Sequence, residues 1–183
     1  MRILIVPGLN GSGPDHWQTL WEKKYGGERV RQRDWANPDV AEWVQALDAT
    51  LAGYAEQSVI VAHSLGCLTV AQWTRNYPAN TARVSCALLV APPDVESCPN
   101  IPESMRKFAL QRPILLPFPS VLVSSENDPY MTAAAARELA LLLGCRFVNA
   151  GAVGHINTDS NHGPWPEGEA LLRDLIDTTA ILS

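Results

Sequence analysis

Apolar residues along this chain follow two rhythms: short continuous runs, and three-to-four spacing. The runs are Arg2 to Val6 (RILIV), Val59 to Ala62 (VIVA), Val84 to Val90 (VSCALLV), Ser120 to Ser124 (SVLVS) and Cys145 to Asn149 (CRFVN). Each is short, mostly aliphatic and bounded by breakers, the pattern of a strand buried on both faces. A weaker strand is expected from Val30, in RVRQRDW. Between the runs lie helical patterns. Trp17, Leu20, Trp21 and Tyr25 share one face of a helix over Asp15 to Tyr25, stopped by Gly26-Gly27. Asn37 is expected to cap the next, with Pro38 first, Val40, Trp43, Val44, Leu47 and Leu51 inward, and Gly53 at its end. Further helices are read from Leu65, over Ala133 to Leu143 after Thr132, and from Pro166 with Leu171, Leu172, Leu175 and Ile176 inward.

Strands and helices alternate throughout, without repeat, linker or composition break. The expectation is a single α/β domain over residues 1–183: a mostly parallel sheet of about six strands with helices on both faces. One stretch departs from the alternation. Residues 94–118 are rich in proline, with a short helical candidate from Glu103 to Leu110. They read as an irregular excursion over one end of the sheet, a lid or a fixed wall.

Composition narrows the function classes. A chain of 183 residues buries roughly 70% of its unfolded surface. Net charge is −5 and no stretch concentrates Lys and Arg, which argues against a nucleic-acid backbone or an anionic membrane surface as partner. No run approaches a membrane span, and Arg2 followed by ILIV before Pro7 is too short for a signal-peptide core. Cys67, Cys86, Cys98 and Cys145 are scattered, with no C-x-x-C pair and no histidine at ligand spacing. The expectations are reduced thiols, a cytoplasmic location, and neither metal nor cofactor. Oligomeric state leaves no trace in the sequence.

The candidate chemistry sits where runs end. Between the strand ending at Ala62 and the helix from Leu65 lies His63-Ser64-Leu65-Gly66. A serine on a sharp strand-to-helix turn, with small residues two before and two after, forms a nucleophile elbow. Ala62 misses the strict G-x-S-x-G pattern by one methyl group, and a serine capping a buried helix is the bland alternative. Serine needs a base, and the base an orienting acid. Asp128 follows the 120–124 strand and His155 follows the 145–149 strand, so serine, acid and histidine occur in α/β-hydrolase order. Ligands of parallel sheets bind beyond these carboxyl ends. Glu126 and Asp94 are rival acids and His162 a distant alternative base; the His63 side chain is expected to diverge from Ser64. Oxyanion donors are expected from the N–H of Leu65 and from the loop after the first strand, where Gly8 exposes Leu9 or Asn10. PGLNGSG carries no P-loop lysine, which removes a phosphate-cradling reading.

PGLNGSGPDHWQTLW, AHSLG, LPFPSVLVSSENDPY and GAVGHIN…GPWPEG together resemble the small serine hydrolases related to retinoblastoma-binding protein, the YdeN-like group. The resemblance spans nearly the whole chain. It implies a compact α/β-hydrolase fold with Ser64 as nucleophile, Asp128 as acid and His155 as base. It also implies that His16, Trp17 and Trp165 line the pocket or pack its loops, and they are taken here as substrate-binding. It carries over no retinoblastoma-type partner. The expected activity is acyl transfer to water on small ester or amide substrates. The rival is a hydrolase-fold binding module that uses the cleft or its tryptophan-rich surface for a partner.

Overall fold

The computed structural model describes residues 2–182. Six strands form one sheet in the order β2-β1-β3-β4-β5-β6: β1 (Arg2–Val6), β2 (Glu28–Arg29), β3 (Ser58–His63), β4 (Val84–Val90), β5 (Ser120–Ser124) and β6 (Arg146–Asn149). Every pairing is parallel, from Leu4 opposite Ile60 to Val123 opposite Val148. Parallel neighbours need crossovers, which carry the helices α1 (Trp17–Tyr25), α2 (Val40–Ala52), α3 (Leu65–Asn76) and α5 (Ala133–Leu143); with α6 (Pro166–Leu182), which follows the last strand, these cover the sheet.

Side chains alternate across the strands, so each face has its own core. Leu4, Val6, Ile60, Ala62, Leu89 and Leu122 face α2, α3 and α5, whose Leu47, Val70, Trp73 and Ala140 close that side. Ile5, Val59, Val61, Leu88, Val90 and Val123 face α1 and α6 through Trp17, Trp21, Leu172 and Leu175. A third cluster lies at the carboxyl end, where Val95, Ile101, Met105 and Phe108 of the 94–118 excursion sit on Trp43, Leu65 and Leu68. That excursion holds only the short α4 (Glu103–Arg106). The Arg106 guanidinium donates to the carbonyls of Val95, Glu96 and Cys98.

Four boundaries differ from the sequence reading, each because a polar group outcompetes the pattern. Strand β2 ends before Val30, whose N–H donates to Ile5 O; beyond it Asp34 Oδ1 accepts from Ala36 N and Asn37 N, so 30–35 turns away from the sheet. Helix α2 is capped by Asp39, not Asn37, because its carboxylate takes the N–H groups of Ala41 and Glu42. Helix α1 starts after His16, whose Nδ1 accepts from Gln18 N. The candidate from Glu103 to Leu110 shrinks to one turn, and the carbonyls of Phe108 and Ala109 accept from Gln72 Nε2 instead. No helix among the described residues is long and apolar enough to cross a membrane. Cys67, Cys86 and Cys98 are buried and Cys145 is half-buried; all four are free thiols. Burial pushes the Cys145 thiol up to about 12, so it stays unreactive.

Candidate active site

The turn from β3 into α3 places Ser64 at φ 53°, ψ −126°, a left-handed conformation that a serine adopts only when its surroundings compel it. They do. Its N–H donates to Val90 O on the neighbouring strand at 2.9 Å. At Gly66 a Cβ would lie 2.2 Å from Val6 O, so the first turn of α3 rests directly on β1 backbone and admits no side chain. Ala62 is another matter. Its methyl is fully buried among Val6 and Leu89, and the core absorbs the group that departs from the strict motif.

Asp128 and His155 arrive from loops after β5 and β6. His155 Nε2 lies 3.0 Å from Ser64 Oγ, and His155 Nδ1 lies 2.9 Å from Asp128 Oδ2 and 3.1 Å from Oδ1. A carboxylate only accepts, so Nδ1 carries the proton and the Nε2 lone pair faces the serine hydroxyl. The Asp128 side chain is 1% exposed and also accepts from Tyr130 N. The two loops are stitched together. Asn127 Oδ1 accepts from Gly154 N at 2.7 Å and from Ser125 Oγ, while Ser125 Oγ accepts from Val153 N.

The rivals have other partners. Asp94 Oδ1 takes the N–H groups of Glu96 and Ser97, Glu126 Oε1 accepts from Asn149 Nδ2, and His162 Nδ1 bonds Ser160. His63 does more than diverge. Its Nε2 lies 2.9 Å from His155 O, and because a carbonyl only accepts, Nε2 donates. Burial holds His63 neutral by pulling its pKa well below the ordinary imidazole value. The strand bearing the serine thus also grips the backbone of the histidine. Sequence reading missed this contact and missed Asn127 and Ser125. Their only signal was their position beside the candidate residues.

Around Ser64 opens a cleft of about 370 Å³, walled by Leu9, His16, Ile101, Met105 and Tyr130, with Asn157 and Asp159 toward one rim. Gly8 brings the β1 loop against the elbow: a Cβ there would sit 2.8 Å from Ser64 Cβ and 3.0 Å from Leu65 N. Asn10 is withdrawn as an oxyanion donor, since its N–H is taken by Trp35 O at 2.9 Å; Leu9 and Leu65 remain. His16 lines the cleft as expected, but Trp17 and Trp165 do not. They are 0% and 5% exposed, packed edge to face at 5.2 Å with Trp21 alongside. Large indoles gain more from the core than from a wet wall. Trp17 still serves the site from behind, donating Nε1–H to Ile156 O at 2.8 Å. A larger hollow of about 790 Å³ lies at the other end of the sheet, against Val84, Phe118 and Ile176; no histidine lines it. Among the described residues no group of three or more His, Cys, Asp or Glu is placed to hold a metal ion.

The fold has close counterparts. The serine hydrolase family model matches residues 3–174. A YdeN-like hydrolase from Pectobacterium atrosepticum superposes with a TM-score of 0.82 at 28% identity, covering 99% of this chain and 91% of its own. The ydeN gene product of Bacillus subtilis gives 0.80 at 17% identity, over 96% of this chain and 98% of its own. The esterase RhEst1 from a Rhodococcus species gives 0.66 at 14% identity, over 100% and 91%. Among curated proteins no sequence matches significantly. With the family model spanning nearly the full chain and an all-parallel sheet ending on Ser64, this protein belongs to the serine hydrolase family as a small YdeN-like α/β hydrolase.

Proposed function

We propose that the chain hydrolyses small esters, and more slowly amides, by acyl transfer through Ser64, His155 and Asp128. Ser64 Oγ attacks the carbonyl carbon as His155 Nε2 takes its proton; Asp128 holds the ring and stabilises the imidazolium. The N–H groups of Leu65 and Leu9 receive the oxyanion, each typically worth about a hundredfold or more in rate. His155 then protonates the departing oxygen. A water molecule, deprotonated by the same nitrogen, opens the acyl-enzyme, releases the acid and restores the serine.

The observation that carries this reading is the linked pair of contacts, 3.0 Å from Ser64 Oγ to His155 Nε2 and 2.9 Å from His155 Nδ1 to Asp128 Oδ2. Substrate size follows from the cleft: about 370 Å³ lies at the lower end of the range for small-molecule sites. His16 stands on its wall as a substrate-contacting residue. A fluorophosphonate probe tests the reading. Labelling of the folded protein that vanishes in Ser64→Ala is the expected result. Folded protein that is never labelled would overturn it in favour of a binding module.

A further inference from the structure

His16 is 5% exposed, yet it lines the cleft. Its Nδ1 is occupied, accepting Gln18 N–H at 3.1 Å to cap α1. A ring nitrogen that accepts a backbone N–H carries no proton, so the neutral ring bears its hydrogen on Nε2. That atom has no hydrogen-bond partner among the described residues, while the ring is fixed by Trp17 at 5.3 Å and by the edge of His63 at 4.8 Å. Burial first, then the charges of Arg29, His155 and His162, push its pKa down to about 4, so the ring stays neutral near neutral pH. A fixed donor without an internal acceptor is satisfied only by what enters the cleft.

Which part of a substrate meets it follows from the order of the rings. His155 must protonate the departing oxygen, so the leaving alcohol lies on its side of Ser64. His16 precedes Trp17, whose Nε1–H is held by Ile156 O next to His155, and both histidine rings pack on His63 at 4.8 and 4.9 Å, which puts His16 on that side too. A neutral donor gives a desolvated anion little compensation, and Asp159 on the rim repels one. An uncharged oxygen is the matching acceptor.

Resting on the hydrolase reading above, we infer that His16 is a specificity-determining residue. Its Nε2–H donates to an ether or carbonyl oxygen on the leaving alcohol, so the enzyme selects oxygen-bearing alcohols over plain alkyl ones.

Methoxyethyl butyrate and butyl butyrate differ by one oxygen for one methylene, and their kcat/KM ratio reads the contact. The parent chain favours the ether-bearing ester by about tenfold, the size of one neutral hydrogen bond. In His16→Asn the Asn oxygen still caps α1, but the shorter side chain puts no donor in the cleft. The ratio then falls to near unity, with the loss in kcat/KM for the ether-bearing ester. An unselective parent, or an equal fall on both esters in the variant, overturns the inference while leaving the hydrolase reading intact. A parent that turns over neither ester and takes no fluorophosphonate overturns both.

Discussion

The elbow and the 94–118 excursion face each other across the cleft, and they are held by opposite means. At the elbow, backbone meets backbone: Gly66 lies against Val6 O, Gly8 against Ser64, and Ser64 N–H is tied to Val90 O. Strain concentrates there. Of the non-glycine residues with positive φ, Asn10, Ser64, Ala91 and Ile156 all follow strand ends around the site. The excursion is held largely by interchangeable apolar contacts, Ile101, Met105 and Phe108 on Leu65 and Leu68, with Arg106 gathering three of its carbonyls and Gln72 two more. The chemistry depends on contacts that tolerate no added atom. The shape of the pocket depends on contacts that do.

The sharpest break in that contrast is at the reacting groups. Asp128→Asn is expected to lower kcat on a p-nitrophenyl ester by about ten-thousandfold, because the amide favours the wrong histidine tautomer. Asp94→Asn, which disturbs only an Asx turn, leaves kcat within about twofold. The reverse pattern would move the acid to Asp94. Next comes the backbone contact. Gly66→Ala drives a methyl into Val6 O and costs about 3 kcal/mol or more in urea unfolding, since a backbone carbonyl has little room to retreat. Volume-conserving exchanges in the excursion, such as Met105→Leu, cost less than about 1.5 kcal/mol.

Acid reads a third layer. His16 is held near a pKa of about 4, against an ordinary 6.5 in the unfolded chain, chiefly by burial. Below about pH 6.5 the unfolded chain therefore binds the extra proton, and stability is lost as pH falls toward 4. At about pH 5 the loss from His16 alone is about 2 kcal/mol. Buried His63 adds a loss of the same sign. His16→Asn should flatten this acid limb without abolishing it, as measured by urea unfolding across the range. The smallest effect belongs to Arg106→Met: about 1 kcal/mol in stability, a raised KM and faster proteolysis within 94–118, with fluorophosphonate labelling of Ser64 retained.

What the sequence made legible follows the same division. Buried parallel strands announce themselves as apolar runs, so β1, β3, β4 and β5 were readable nearly to the residue, and with them the loops that carry Ser64, Asp128 and His155. Local polar competition is harder to read. Asp39 took the cap expected of Asn37, and Asp34 bent the chain out of the strand expected after Val30. Hardest are contacts between distant segments. Nothing in a linear pattern reports that Asn10 N–H is already taken by Trp35 O, or that His63 reaches across to His155 O. The indoles of Trp17 and Trp165 misled for a related reason: closeness to a site in sequence does not say which side of it a ring occupies.

Trp17 bears on how this molecule comes into being. Its indole N–H waits for a carbonyl 139 positions further along the chain, beside the histidine. Until the segment after the last strand docks, the first helix has an unanswered polar edge and Ser64 has no imidazole beside its hydroxyl. A half-made chain is therefore not half a site: the cleft gains its Ser64–His155 contact in the same step that seals the aromatic cluster behind it.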